Sequence, residues 1–393
     1  MGERVAIVGA GYAGMAAAVT LAERGVAVTV FESGAIPGGR ARRVVSQGQA
    51  LDNGQHIFVG AYTELFRLMG IVGVASSALL RLPLSIRYAN GFVFRGVLRA
   101  RGVPLMERLR AIAFIAAMRR AGWRVAPDTT VRELLERHAQ RGAMRRYVWG
   151  PLCVSALNTP LEFASANVFL AALRDTLAGP AGASDLVLPR VDLSRLFPEP
   201  AADYIASRGG ELRCGSTVRE LESLDYPKII VAVGPHQLKA LMPEARLEYG
   251  YQPITTCYLQ YPDHTALEFP MVGLVEGLAQ WVFDRGALLG EKGRLACVIS
   301  AQGDHQQMTQ AELAATCDRE LRAAIPRLPP PIWTRVIAEK RATITCAPGL
   351  ERPAQRTARK NVFLAGDYTD PEYPPTLEAA VRSGVRAAGL VLA

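Results

Sequence analysis

The chain has 393 residues, half of them apolar, and a formal net charge of +9, long enough for two domains with cores of their own. Its six cysteines, Cys153, Cys214, Cys257, Cys297, Cys317 and Cys346, form no CxxC pair, and the histidines do not cluster. This argues against a disulfide framework and a metal site, and predicts a reducing, cytoplasmic home; no signal peptide is expected, because apolar strand pattern begins almost at once.

Arg4 to Val8 reads as a buried parallel strand, followed by the glycines Gly9, Gly11 and Gly14 and a helical pattern from Tyr12 to Glu23. A second strand, Ala27 to Phe31, ends at Glu32. In such a βαβ unit Gly9 permits the tight turn, Gly11 lets backbone approach a pyrophosphate, and Gly14 lets helix pack on strand. The helix start at Tyr12 and Ala13 offers unpaired N–H groups to that pyrophosphate. Glu32 would accept hydrogen bonds from ribose hydroxyls and repel the 2′-phosphate of NADP. NAD and FAD share this pattern.

Six residues on, Gly38, Gly39 and Arg40 supply a turn and a guanidinium that could reach the pyrophosphate; an ordinary turn beside solvated arginines is the other reading. Between Arg81 and Arg146 stand fifteen arginines, no lysine and four acids, an excess larger than that of the whole chain. The apolar run inside it, Ala111 to Met118, is far short of the ~20 residues that span a bilayer. Its basic flanks suit either peripheral contact with an anionic membrane or a solvated helix of a cap domain. Nucleic acid is not expected, since no recognition module accompanies the charge.

Thr130 to Glu133 reads as a capping box opening a helix. Thr217 to Leu221 and Lys228 to Val233 read as strands, as do Ile254 to Tyr261, Gln280 to Asp284, Leu295 to Ser300 and Thr334 to Cys346, with a covering helix from Gln310 to Ile325. A last strand, Asn361 to Ala365, leads into Gly366 and Asp367 at the carboxyl end where ligands of open α/β sheets collect. Asp367 could bond a flavin's ribitol chain. The helix after Thr376 and Leu377 would aim its positive N-terminus at the flavin.

Taken together, GAGYAG, Glu32, PGGR, the segment LDNGQHIFVGAY from Leu51 to Tyr62, and FLAGDYTD with TLEAAVRSG resemble the amine-oxidase and phytoene-desaturase flavoproteins. Within that group, LDNGQHIFVGAY, Pro151 to Cys153, Leu157 to Pro160 and Leu188 to Pro198 are most similar to the hydroxysqualene dehydroxylases. The resemblance implies an α/β fold in which a Rossmann-like FAD-binding domain, residues 1–75, 195–243 and 347–393, is interleaved with an α+β substrate domain, residues 76–194 and 244–346. It implies FAD as cofactor and adds Gln55, His56 and Val218 to the residues expected beside it. Members of the family often have a longer hairpin where this chain has only Glu222 to Pro227.

The implied reaction replaces the allylic hydroxyl of hydroxysqualene by hydride from reduced FAD, giving squalene. His56, as an imidazolium, is the first candidate proton donor; hydrogen bonding to backbone is its other reading. Asp52 is the second candidate, with turn-building as the alternative; Asp175, Asp185 and Asp192 stand behind them. Tyr258, Trp281, Phe283 and Tyr373 are expected to line the cavity or face a cation. A hydrophobic isoprenoid substrate, contact with the inner face of the cytoplasmic membrane through residues 81–146 and an unidentified electron donor complete the expectation. An isoprenoid desaturase, an amine oxidase and a non-catalytic flavin-bound carrier of squalene intermediates are the alternatives.

Overall fold

Two sheets organise the chain in this computed structural model, which describes residues 4–245 and 247–393. In chain order their strands are β1 (Val5–Val8), β2 (Val28–Phe31), β3 (Glu211–Arg213), β4 (Lys228–Val231), β5 (Tyr251–Gln260), β6 (Met271–Gly273), β7 (Trp281–Asp284), β8 (Arg294–Ser300), β9 (Trp333–Ile344) and β10 (Val362–Leu364). The helices that matter for the site are α1 (Tyr12–Glu23), α2 (Leu105–Arg120), α3 (Gly150–Leu157), α4 (Ala166–Leu177), α5 (Gln310–Ala324) and α6 (Leu377–Leu392).

The first sheet is parallel, in the order β3-β2-β1-β4-β10. Its central strands are apolar except at Thr29 and Lys228, because both faces are covered. Ile7, Val30 and Ile230 pack under α1 and α6; Ala6, Val8 and Val231 face the opposite layer with Leu238 and Leu241. Helices α1 and α6 approach closely at Gly384, where a Cβ would stand 2.1 Å from the Ala13 carbonyl oxygen. The sheet is assembled from three separate stretches of chain, within residues 5–31, 211–231 and 362–364.

The second sheet is antiparallel, β6-β7-β8-β5-β9. Alternation along its strands sends Cys257, Leu259, Cys297 and Val282 to a core closed by α5, and Tyr258, Trp281, Phe283 and Val298 to the core shared with the helices between residues 105 and 177. The capping box at Thr130 and Glu133 opens a helix over Val131–Arg137.

Thr217 to Leu221 is not a strand. Beyond Arg213 the chain follows the loop after β2 through Gly215 N to Gly34 O and Ser216 N to Glu32 O, both 2.9 Å or shorter. It then leaves the sheet edge, so no neighbour offers a ladder to the residues after it. Among the described residues no helix is long and apolar enough to cross a membrane.

Candidate active site

Strand order in the parallel sheet reverses between β1 and β4, the place where an open α/β sheet leaves a crevice. A cavity of about 1480 Å³ opens there. Gly9, Gly11, Tyr12 and Ala13 line it after β1, Glu32 after β2, Ala232 to Gly234 after β4, and Gly366 and Asp367 after β10.

The glycine turn has the geometry its spacing predicts. Gly9 has φ +105°, and a Cβ there would stand 2.7 Å from the Ala232 carbonyl oxygen. At Gly14 a Cβ would meet the Gly9 carbonyl oxygen at 1.9 Å, so this glycine serves helix packing and does not line the cavity. Gly11 is uncrowded, its nearest neighbour being Gly39 Cα at 3.9 Å. The second glycine turn is bonded to the first through Gly38 N to Ala10 O, 2.8 Å. Glu32 accepts from Ala10 N at 2.8 Å and Gly34 N at 2.7 Å. No side chain caps the start of α1, and the start of α6, at Thr376 and Leu377, lines the same cavity. Two positive helix ends therefore converge on it, as an anionic ligand requires.

Arg40 and Asp367 form an ion pair at 2.8 Å in the cavity wall, and Arg40 also donates to the Ala342 carbonyl at 2.7 Å. Uncapped N–H groups, an acid after β2 and an arginine beside a glycine turn could together hold the pyrophosphate and ribose of a dinucleotide. Val218, expected among these groups, does not line the cavity. It packs instead with the core cluster that contains Phe31 and Leu221.

The segment after Leu51 is fixed by a buried network. Asp52 pairs with Arg285 at 2.9 Å and accepts from Leu193 N at 2.9 Å; Arg285 also bonds Glu291. Burial pushes the Asp52 pKa up, while Arg285 and the Leu193 N–H oppose the rise. The Asp52 side chain does not line the cavity; its bonds to Arg285 and Leu193 N fix the segment in place. The backbone carbonyl of Asp52 accepts from the Tyr258 hydroxyl, which accepts from Gln55 Nε2 at 2.9 Å. Gln55 and His56 line the cavity and Tyr258 stands behind them.

His56 lines the cavity in surroundings that disfavour the imidazolium form. Burial lowers its pKa to about 4, helped by nearby Arg40 and opposed by the Gly54 carbonyl. The ring is therefore neutral at pH 7, with Nδ1 3.3 Å from the Gly54 carbonyl oxygen. Asp192 caps a short helix and pairs with Arg43; Asp175 and Asp185 pair with Arg382 and Arg81; none of the three lines the cavity.

Away from the glycine turns the wall is apolar and aromatic, with Phe94, Ile115, Trp149, Phe169, Trp281 and Phe283. Tyr373 lines it near the start of α6. The Trp281 indole donates to Ser155 Oγ at 3.0 Å. Asn158 is a structural residue that residue-by-residue reading missed. It ends α3 at φ +47° and its side chain bonds Gln252 O, Pro253 O, Thr343 Oγ1 and Ala301 N, tying the helix to the second sheet. Its signal was an asparagine at a helix end, a residue that tolerates left-handed backbone.

A family model described as flavin containing amine oxidoreductase matches residues 12–392. Hydroxysqualene dehydroxylase of Zymomonas mobilis is 28% identical, covering 98% of each chain. The enzyme of the same name from Rhodopseudomonas palustris is 28% identical, covering 100% of this chain and 99% of its own. Among solved structures, cyclohexylamine oxidase from Brevibacterium oxydans superposes with a TM-score of 0.73 at 17% identity, covering 100% of this chain and 99% of its own, a likeness of fold. The chain belongs to the flavin containing amine oxidoreductase family and is an FAD-dependent oxidoreductase.

Proposed function

We propose that the protein is a hydroxysqualene dehydroxylase, replacing the allylic hydroxyl of hydroxysqualene by hydrogen to give squalene. One observation carries this reading: the cavity that begins at the glycine turns continues without a break into an apolar, aromatic chamber. Full-length similarity to two enzymes of that name supports it. Bound FAD, in its reduced form, supplies the hydride.

Gly11, Tyr12 and Ala13 would bind the pyrophosphate through backbone N–H groups, while Gly9, whose N–H donates to the Phe31 carbonyl at 2.7 Å, shapes the turn that presents them. Glu32 takes the adenosine ribose, exchanging its present N–H partners in part for hydroxyls. Gly38, Gly39 and Arg40, which line the same part of the cavity, would help to hold the phosphates. Gly366, Asp367, Thr376 and Leu377 would hold the flavin half, with Gln55 and His56 lining the cavity beside it. His56 acts as a neutral hydrogen-bonding group.

The overall step consumes one proton from solvent and one hydride from reduced FAD: the hydroxyl would take the proton and depart as water as the C–O bond breaks, and the allylic carbon would take the hydride. Trp149, Phe169, Trp281 and Phe283 keep bulk water from that carbon and present π faces to its positive charge. Residues 81–146 provide contact with the inner face of the cytoplasmic membrane, from which an isoprenoid of this size is drawn. The electron donor that reduces the flavin is a separate partner.

Anaerobic mixing of hydroxysqualene with the photoreduced enzyme in D2O, where the exchangeable flavin N5 position carries deuterium, should yield squalene with one deuterium at the former carbinol carbon. A more unsaturated product, or unchanged substrate, would refute the assignment in favour of a desaturase or a carrier.

A further inference from the structure

Helix α2 is apolar on two sides. Ala111, Phe114 and Met118 are buried in the core, and Ile115 lines the cavity. The opposite side is uncovered: Leu105, Met106, Leu109 and Ile112 are 63%, 57%, 50% and 39% exposed. Spacings of four and three residues put Leu105, Leu109 and Ile112 on one stripe, with Met106 beside it. Leu98, in the turn before the helix, is 76% exposed. A helix of a soluble domain normally turns polar residues to water, so a second apolar face lacks a partner.

The charge around this face identifies the partner. Arg99, Arg101, Arg110, Arg119 and Arg120 are exposed on α2 and the turn before it. Among the described residues none of the five has an acidic partner, whereas Arg81, Arg124 and Arg132 are paired with Asp185, Glu372 and Glu162. An apolar stripe fringed by unpaired guanidinium groups matches an anionic bilayer, with side chains in the acyl boundary and arginines at the headgroups. Gly96 and Val97, in the turn that carries Leu98, line the cavity together with Ile115. The uncovered face and the chamber wall are thus two sides of the same elements.

We infer that α2 and residues 95–101 seat the protein on anionic phospholipid, with Leu98, Leu105, Met106, Leu109 and Ile112 inserted, so that an isoprenoid passes from the acyl layer to the cavity alongside Ile115 and Val97. The route rests on the proposed dehydroxylase reading; the lipid contact does not.

The test is flotation of the FAD-loaded protein with vesicles of phosphatidylcholine alone or with phosphatidylglycerol at about one third of the lipid. Binding should require phosphatidylglycerol and weaken with salt. The pair Leu109→Glu and Ile112→Glu should lower partitioning about tenfold or more. Arg99→Gln with Arg119→Gln should lower it roughly fivefold per arginine at low salt. Both variants should turn over detergent-dispersed hydroxysqualene at the wild-type rate yet lose turnover of vesicle-embedded substrate. No vesicle binding, equal binding to both vesicles, or a dimer dispersed by the same glutamates would each overturn the inference. Absence of turnover in detergent, with lipid binding intact, would count against the dehydroxylase reading alone.

Discussion

Single residues separate chemistry from scaffolding in this site. Because His56 has its pKa pushed down to about 4 by burial, its contribution to stability is present above its unfolded value near 6.5 and is lost as pH falls toward 4. His56→Gln should flatten that part of the thermal-stability profile between about pH 6.5 and 4, and should leave activity without a titration near neutrality. A loss of turnover following an ionisation near pH 6.5 in the wild type, absent in the variant, would restore the imidazolium as acid. Asp52 has the opposite character. Its ion pair with Arg285 is buried on both sides, so Asp52→Ala leaves Arg285 with Glu291 alone and the Leu193 N–H without its acceptor, and should destabilise the fold by about 1 to 3 kcal/mol in chemical denaturation. A stable variant that lacked only activity would assign Asp52 to the reaction instead.

At the scale of elements, the glycine turn and α1 offer a discriminating pair. Gly11→Ala meets nothing closer than Gly39 Cα at 3.9 Å, so the protein should fold as before while FAD binding weakens roughly tenfold. Gly14→Ala drives a methyl into the Gly9 carbonyl oxygen and should lower the melting temperature with or without added FAD. Equal effects from the two would mean that Gly11 has no role at the cofactor. This element was legible in the sequence because every level agreed: apolar strand, glycine spacing, helix and terminal acid. Strands of the second sheet were legible from alternation, Val282 facing one core and Trp281 with Phe283 the other. Thr217 to Leu221 misled because its apolar residues do pack on the core, while strand identity depends on a neighbour that no local pattern reports. The partners of Asp52 were invisible for a similar reason, since Arg285 lies 233 positions away.

For the whole molecule, one cavity unites a dinucleotide cradle made from both ends of the chain with an apolar chamber made from its middle. Residue types announced the cradle; the chamber's continuity with it is a property of the assembled fold alone. The direction of electron flow separates a dehydroxylase from a desaturase or a carrier. Stopped-flow absorbance of the anaerobic, photoreduced enzyme mixed with hydroxysqualene measures this most directly. The prediction is reoxidation of the flavin with one squalene formed per flavin. A flavin that stays reduced in that mixture, or an oxidised enzyme that becomes reduced on meeting squalene, would contradict it.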